Sequence, residues 1–240
     1  MFKKYKVLVS LIMLLAVFKP VAAQYRFGLS GGVIASNHVG DDFVTTDFPK
    51  IGMALGFFYE AEINQTMSLL VEPSFEQKGA VYSFEPRFDT KVNVDSDLDY
   101  FTLPLMIKAN FSSKPGLGAK SNFGKKNRSR KNPRYRSRVN YYLTGGISLS
   151  YLVSSKNEVH TFQNGVEIDS SPFFPYSFSK IDASVSIGGG VMWKEIFIDL
   201  RYARGLRSVF EGQNVPEVRN HVVSVKLAYS LYRQKSYYSR

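Results

Sequence analysis

The chain has 240 residues, 44% of them hydrophobic and 15% aromatic, no cysteine, and a formal net charge of +11. This length suits one domain, and the lack of cysteine excludes a disulfide framework, a thiolate metal site and a thiol nucleophile. The charge is local: four of the 31 Lys and Arg lie in residues 1–23 and ten in residues 112–138, neither stretch holds Asp or Glu, and the remaining 17 basic residues face 20 acids.

Residues 1–23 carry Lys3, Lys4 and Lys6 ahead of an apolar run, Val7 to Phe18, and then the small residues Val21-Ala22-Ala23. This order predicts a secretory signal peptide cleaved near Ala23. The alternatives are a membrane anchor or a buried first helix. The run falls short of the ~20 residues a helix needs to cross a bilayer, and no later apolar run is that long. The mature chain is therefore either secreted and soluble or spans a membrane as strands.

From Tyr25 onward the pattern is alternation with a period of two, the strand period. Tyr25 to Val33 is the first strand. In the second, Met53, Leu55, Phe57, Tyr59, Ala61 and Ile63 alternate with smaller or polar residues. The third carries Met67, Leu69, Val71, Pro73 and Phe75, and the fourth Phe101, Leu103, Leu105, Ile107, Ala109 and Phe111. Tyr141 to Val153 is the fifth, with apolar residues or Gly at odd positions. Ile181 to Ile187, Ile196 to Tyr202 and Val223 to Leu231 complete eight. Many are near the ten-residue length of a tilted transmembrane strand. Residues 64–66 and 193–195 read as tight turns, and 38–50, 78–97, 154–179 and 204–220 as long loops. Short turns at one end and long loops at the other are the asymmetry of outer-membrane barrels.

The expected fold is all-β: an eight-stranded antiparallel transmembrane up-and-down β-barrel over residues 24–232, with a basic insertion at 112–138 and a C-terminal tail at 233–240. A secreted soluble barrel or sandwich also alternates. The polar face here is mostly Gly, Ser, Ala and Thr, which suits a narrow lumen better than a solvated surface.

With the apolar face on lipid, the lumen collects Arg26, Glu60, Glu62, Glu72, Glu76, Lys108, Asp182, Asp199, Arg201 and Lys226. Such charges must pair or be hydrated. They read as a salt-bridged plug rather than a selectivity filter or proton path, with Asp199 and Asp182 the expected partners of Arg201. The insertion offers Lys125, Lys126, Arg128, Arg130, Lys131, Arg134, Arg136 and Arg138 as a docking arm for a periplasmic protein, peptidoglycan or anionic lipid headgroups. The plain alternative is a solvated, disordered insertion. Nucleic acid is not an expected partner of an exported chain. His38, His160 and His221 form no metal-spaced pair, and Gly188-Gly189-Gly190 lacks the Lys of a phosphate loop. No cofactor, no metal and no catalytic residue is expected, and outer-membrane lipid is the expected surroundings.

Several stretches taken together resemble the outer-membrane β-barrel proteins common in Bacteroidetes, the PorT-like barrel family. They are Leu70-Val71-Glu72-Pro73 with Gln77-Lys78-Gly79, Tyr100-Phe101-Thr102-Leu103-Pro104-Leu105 with Lys108, and Gly145-Gly146-Ile147-Ser148-Leu149-Ser150-Tyr151-Leu152. Asp182, Gly188-Gly189-Gly190-Val191, Asp199-Leu200-Arg201-Tyr202, Gly205-Leu206 and Asn220 extend the likeness. The resemblance covers the mature chain and implies an eight-stranded barrel in the outer membrane of a Gram-negative cell. It implies little about activity, although one namesake takes part in protein secretion. The connection after the fourth strand, usually short in that family, is long and basic here.

The expected function is a closed structural or interaction barrel whose loops or basic segment bind a partner. A secretion or transport component is the alternative, and a loop-borne enzyme comes last. With the N-terminus in the periplasm, the fourth strand ends there, and residues 112–138 lie on the inner side. Cysteines introduced at Ser121 and Ser129 should then resist an impermeant thiol label in intact cells and react once the outer membrane is opened. Labelling of intact cells would reverse the topology.

Overall fold

The computed structural model describes residues 24–40, 49–64, 66–87, 90–112, 139–164, 166–171, 177–212 and 217–234. The expected signal peptide, the basic residues of the docking arm and the tail from residue 235 lie outside them. Among the described residues there are twelve strands. They are β1 (Tyr25–Gly40), β2 (Lys50–Glu62), β3 (Met67–Val71), β4 (Ser74–Arg87), β5 (Thr90–Ser112), β6 (Val139–Gln163), β7 (Val166–Ser171), β8 (Ser177–Phe178), β9 (Ile181–Trp193), β10 (Ile196–Gly205), β11 (Phe210–Glu211) and β12 (Val218–Arg233).

β3 and β4 form one stave, broken at Glu72-Pro73. The break keeps its hydrogen bonds: Phe57 N donates to Pro73 O at 3.0 Å and Glu72 N to Pro104 O at 3.2 Å. The stave pairs with β2 and β5, and the pairing continues through β6, β9, β10 and β12. β12 pairs antiparallel with β1 from Arg26↔Arg233 to Gly40↔Val218, and β1 with β2, so eight staves close into a ring. Closure satisfies the backbone without water, the condition for crossing hydrocarbon as strands.

Alternation then assigns the two faces. Outward residues such as Leu55, Phe57, Leu105, Leu143, Ile187, Leu200 and Leu227 are exposed, and inward ones such as Glu60, Lys108, Asp199 and Lys226 are buried. Such an exterior would aggregate in water and is stable against lipid. Aromatic side chains frame it. Phe75 pairs with Phe101 and Phe101 with Tyr151 at one level, and Phe111 pairs with Tyr141 at the other. From Phe101 to Phe111, ten residues of strand rise ~33 Å, or ~25 Å once tilted by ~40°, the height of the apolar band of such barrels.

The staves do not stop at the upper aromatic level. β5 has 23 residues and β6 has 25, about twice what a hydrocarbon crossing needs. Beyond Tyr100 the same parity persists but the polarity reverses. Outward positions become Asp95, Asp97 and Asp99, and inward ones become Val94 and Leu98, both buried. A bulge marks the transition: the β5–β6 register steps from Asp99↔Ser154 to Tyr100↔Leu152, with Val153 the extra residue. The upper halves of β4, β5 and β6, with β7, form a tower with a core of its own. Ala80, Val94, Phe210 and Val218 pack together there, joined by Val159 and Phe178.

The expectation of long loops at 78–97 and 154–179 is therefore corrected. Within the described residues, 78–87, 90–97, 154–163 and 166–171 are strand, and 177–178 is the short strand β8 paired with β11. Outside the membrane a strand hides apolar residues inward and shows charge to water, so its polar outer face resembles a loop in the sequence. At the opposite end the β2–β3 and β9–β10 connections are short. Asn64 Oδ1 accepts from Thr66 N at 2.9 Å and Met67 N at 2.8 Å. Lys194, at φ 56°, turns β9 into β10.

Charge clasps the outside of the tower. Lys50 Nζ binds Asp95, and Asp97 Oδ1 at 2.8 Å. Partial burial works against its ammonium, but the two aspartates prevail and raise its pKa. On the β6–β7 hairpin, His160 Nδ1 lies 2.7 Å from Glu167 Oε1 and Nε2 3.9 Å from Glu158 Oε2. The hydrogen bond to Glu167, aided by the charges of Glu167, Glu158 and Asp95, raises the His160 pKa. A raised histidine holds its clasp below the unfolded value of about 6.5 and loses it as pH rises through the folded one. Amide exchange in residues 157–171, corrected for intrinsic rate, should be slower near pH 5.5 than near pH 8.5, and His160→Gln should abolish the difference. Equal protection at both pH values would contradict it.

Candidate functional site

The lumen is filled in layers. Toward the short-turn end lies an apolar plug of Phe58, Leu70, Met106, Tyr142, Met192 and Phe197, interleaved with charged side chains. Phe58 and Tyr142 meet the Phe197 ring edge-on, at centroid distances of 5.5 and 6.4 Å. Lys108 Nζ lies 4.1 Å from the centre of the Tyr142 ring and 4.5 Å from that of Phe197, so the plug meets the lower charges through cation–π contacts.

The charges form two runs of alternating sign. In the lower one Arg26 joins Glu60 (3.3 Å) and Glu62 (3.5 Å), and Lys108 joins Glu60 (3.0 Å). In the upper one Arg201 binds Asp199 and Glu72 (2.7 Å). Lys226 bridges Glu72 and Glu76 (3.1 Å each), and Lys78 ends the run on Glu76 (3.1 Å). The upper run sets three bases against three acids. The lower sets two against two, with Arg233 adding a longer contact to Glu62 at the exposed rim (3.8 Å).

Strand register explains the pairs. Arg26 is the cross-strand partner of Glu60, Asp199 and Arg201 lie two residues apart on one face of β10, and Glu76 and Lys78 do the same on β4. Glycines make room for the larger side chains. A Cβ at Gly188 would lie 2.6 Å from Arg201 Cγ, and one at Gly190 2.5 Å from the Tyr142 hydroxyl. The triple glycine is thus a packing device for the lumen.

Of the ten side chains assigned to the lumen, all but Glu62 are buried there, and Glu62 sits half-buried at the short-turn rim. Asp182 is not a partner of Arg201. It accepts a hydrogen bond from Asn220 Nδ2 at 2.9 Å, and Arg201 instead takes Glu72 from across the barrel. Alternation fixes which face a residue uses but not its height, and Asp182 opens its strand well above Arg201. Lys78 was missed because residues 78–97 read as a loop. Its odd–even parity with Glu76 was the available signal.

Little space remains. A cavity of about 40 Å³ lies among Glu76, Lys78, Asp182, Arg201 and Asn220, and one of about 20 Å³ among Glu60, Lys108 and Asp199. Each has room for one to a few water molecules. Above them Leu98, Tyr100 and Val209, backed by Leu152 and Phe178, close the mouth. Of the histidines, His38 is buried in β1 opposite Asn220, and His221 Nδ1 lies 2.8 Å from the Tyr202 hydroxyl on the outer rim. Among the described residues no three His, Cys, Asp or Glu gather to hold a metal ion.

The sequence profile of the outer membrane protein beta-barrel domain family matches residues 19–137, which contain β1 to β5. No curated protein matches the sequence. Among solved structures the chain is similar to Ail, the attachment invasion locus protein of Yersinia pestis, in complex with the heparin analogue sucrose octasulfate. That match has 16% identity over 87% of this chain and 99% of that one, with a TM-score of 0.38. It is also similar to Neisserial surface protein A (14%, 85% and 97%, 0.35) and to OprG from Pseudomonas aeruginosa (10%, 88% and 96%, 0.41).

Arg201→Met should destabilise the barrel by about 3–5 kcal/mol, because it strands the Asp199 carboxylate in the lumen. Lys78→Met should cost clearly less, because Glu76 keeps Lys226. Equilibrium urea unfolding in detergent checks the ranking, and equal losses would contradict it.

Proposed function

We propose that this chain, an eight-stranded outer-membrane β-barrel, is a non-conducting platform whose tower binds a partner outside the membrane. One observation carries this reading: roughly half of β5 and β6 continues as paired strand beyond the apolar band, over a buried core. A barrel that served only to span lipid needs no such extension. The tower's outer face carries Asp95, Asp97, Asp99, Glu158 and Glu167, so a partner with a basic surface suits it. β7 lies at the margin of the sheet with Val166 and Ile168 exposed, which offers strand pairing as well as charge. We assign the barrel no catalytic role.

A second reading follows from the long basic segment, residues 112–138. On the topology with a periplasmic N-terminus it is a docking arm for a periplasmic protein, peptidoglycan or anionic lipid. Together with the PorT-like resemblance it supports a role in protein secretion.

A photo-crosslinking residue at Ile168 separates the two. Protein adducts should form at Ile168 in intact cells and fall when Asp97, Asp99 and Glu158 on the tower's outer face are replaced by Asn or Gln, while the substituted barrel still gives a heat-modifiable band on gels. Adducts at residues 125–138 and none at Ile168 would favour the second reading and defeat the first.

A further inference from the structure

The two charge runs leave one carboxylate over. Among the described residues, six acids and five bases point into the lumen, ten of them share ion pairs, and Asp182 has no cation within ion-pair distance. It is 4% exposed. A buried charge without a counter-charge is costly by several kcal/mol, so the site should supply one.

The surroundings indicate what kind. Oδ2 of Asp182 already accepts the Asn220 amide. Asp182 Oδ1 and Ser186 Oγ have no protein partner, the Asn220 carbonyl lies beside them, and all three residues line the cavity of about 40 Å³. Two of these atoms are pure acceptors. The Ser148 and Ser184 hydroxyls, 2.6 Å apart, line the same space. The cations there, Lys78, Arg201 and Lys226, are committed to Glu76, Glu72 and Asp199. What remains is a set of hard oxygens with one net negative charge, in a space the size of an ion and a water molecule or two.

We propose that this cavity binds one small monovalent cation of the sodium class, with Asp182 Oδ1, the Asn220 carbonyl and the Ser186 hydroxyl among its ligands. One carboxylate balances a single charge, and a divalent ion would restore the imbalance with opposite sign. The ion gives Asp182 a counter-charge and ties β9 to β12 below the closed mouth. The site does not depend on the tower's having a partner.

The test uses the full mature chain, refolded into detergent at fixed pH and ionic strength in sodium chloride or choline chloride, since choline is too large for the cavity. The thermal midpoint of the folded gel band should rise with sodium to saturation and stay flat in choline. Sodium-23 NMR lines should broaden with the wild-type barrel. Asp182→Asn should remove both effects, and Ser186→Ala should raise the half-saturating sodium concentration several-fold. Equal midpoints in the two salts, or a sodium effect that survives Asp182→Asn, would overturn the site. A midpoint that follows pH alone in both salts would assign the charge to a proton and overturn it equally. Should Asp182→Asn fail to fold, wild-type broadening and Ser186→Ala decide.

Discussion

Among the described residues six carboxylates and five cations share a lumen, with cavities of about 40 and 20 Å³ between them. In so confined a space each charge needs an opposite neighbour, and the order Asp199–Arg201–Glu72–Lys226–Glu76–Lys78 supplies it across three staves. This alternation lets polar side chains fill a barrel interior without water columns. It also fixes how the staves meet, because Glu72 accepts from both Arg201 on β10 and Lys226 on β12. The break at Glu72-Pro73 lies beside that junction. The apolar plug packs among the lower charges, and the closed mouth lies above the upper run.

The second constraint is the solvent. Lipid requires apolar residues outside and water requires them inside, while strand parity stays the same. β5 shows both regimes in one strand: Phe101 to Phe111 outward and apolar, then Asp95 to Asp99 outward and charged. The point of inversion locates the membrane boundary, and the bulge at Val153 sits there. The tower is thus held as a soluble protein is, by buried Ala80, Val94 and Phe210, on a base held by lipid and salt bridges.

Much of this was legible in the sequence. The eight spans, their antiparallel order and the outward residues followed from period-two alternation, because lipid imposes a one-sided code. The tower was not legible. Its Val-Asn-Val-Asp-Ser-Asp-Leu-Asp run (92–99) alternates too, but with polarity reversed, and a rule tuned to apolar-out strands passes over it. The lumenal face was readable residue by residue, while the pairing was not. Arg201 and Glu72 lie 129 positions apart, and their contact depends on height and stave position in the closed ring. Lys78 and Asn220 were hidden for one reason, both lying in segments, 78–97 and 204–220, that read as loops and fold as strand at those positions.

The central claim is that paired charge keeps the barrel shut. Planar-bilayer recording of the purified wild-type protein tests it most directly. The account predicts a baseline indistinguishable from protein-free bilayers across physiological salt and voltage. Stable, reproducible single-channel conductance steps would contradict it.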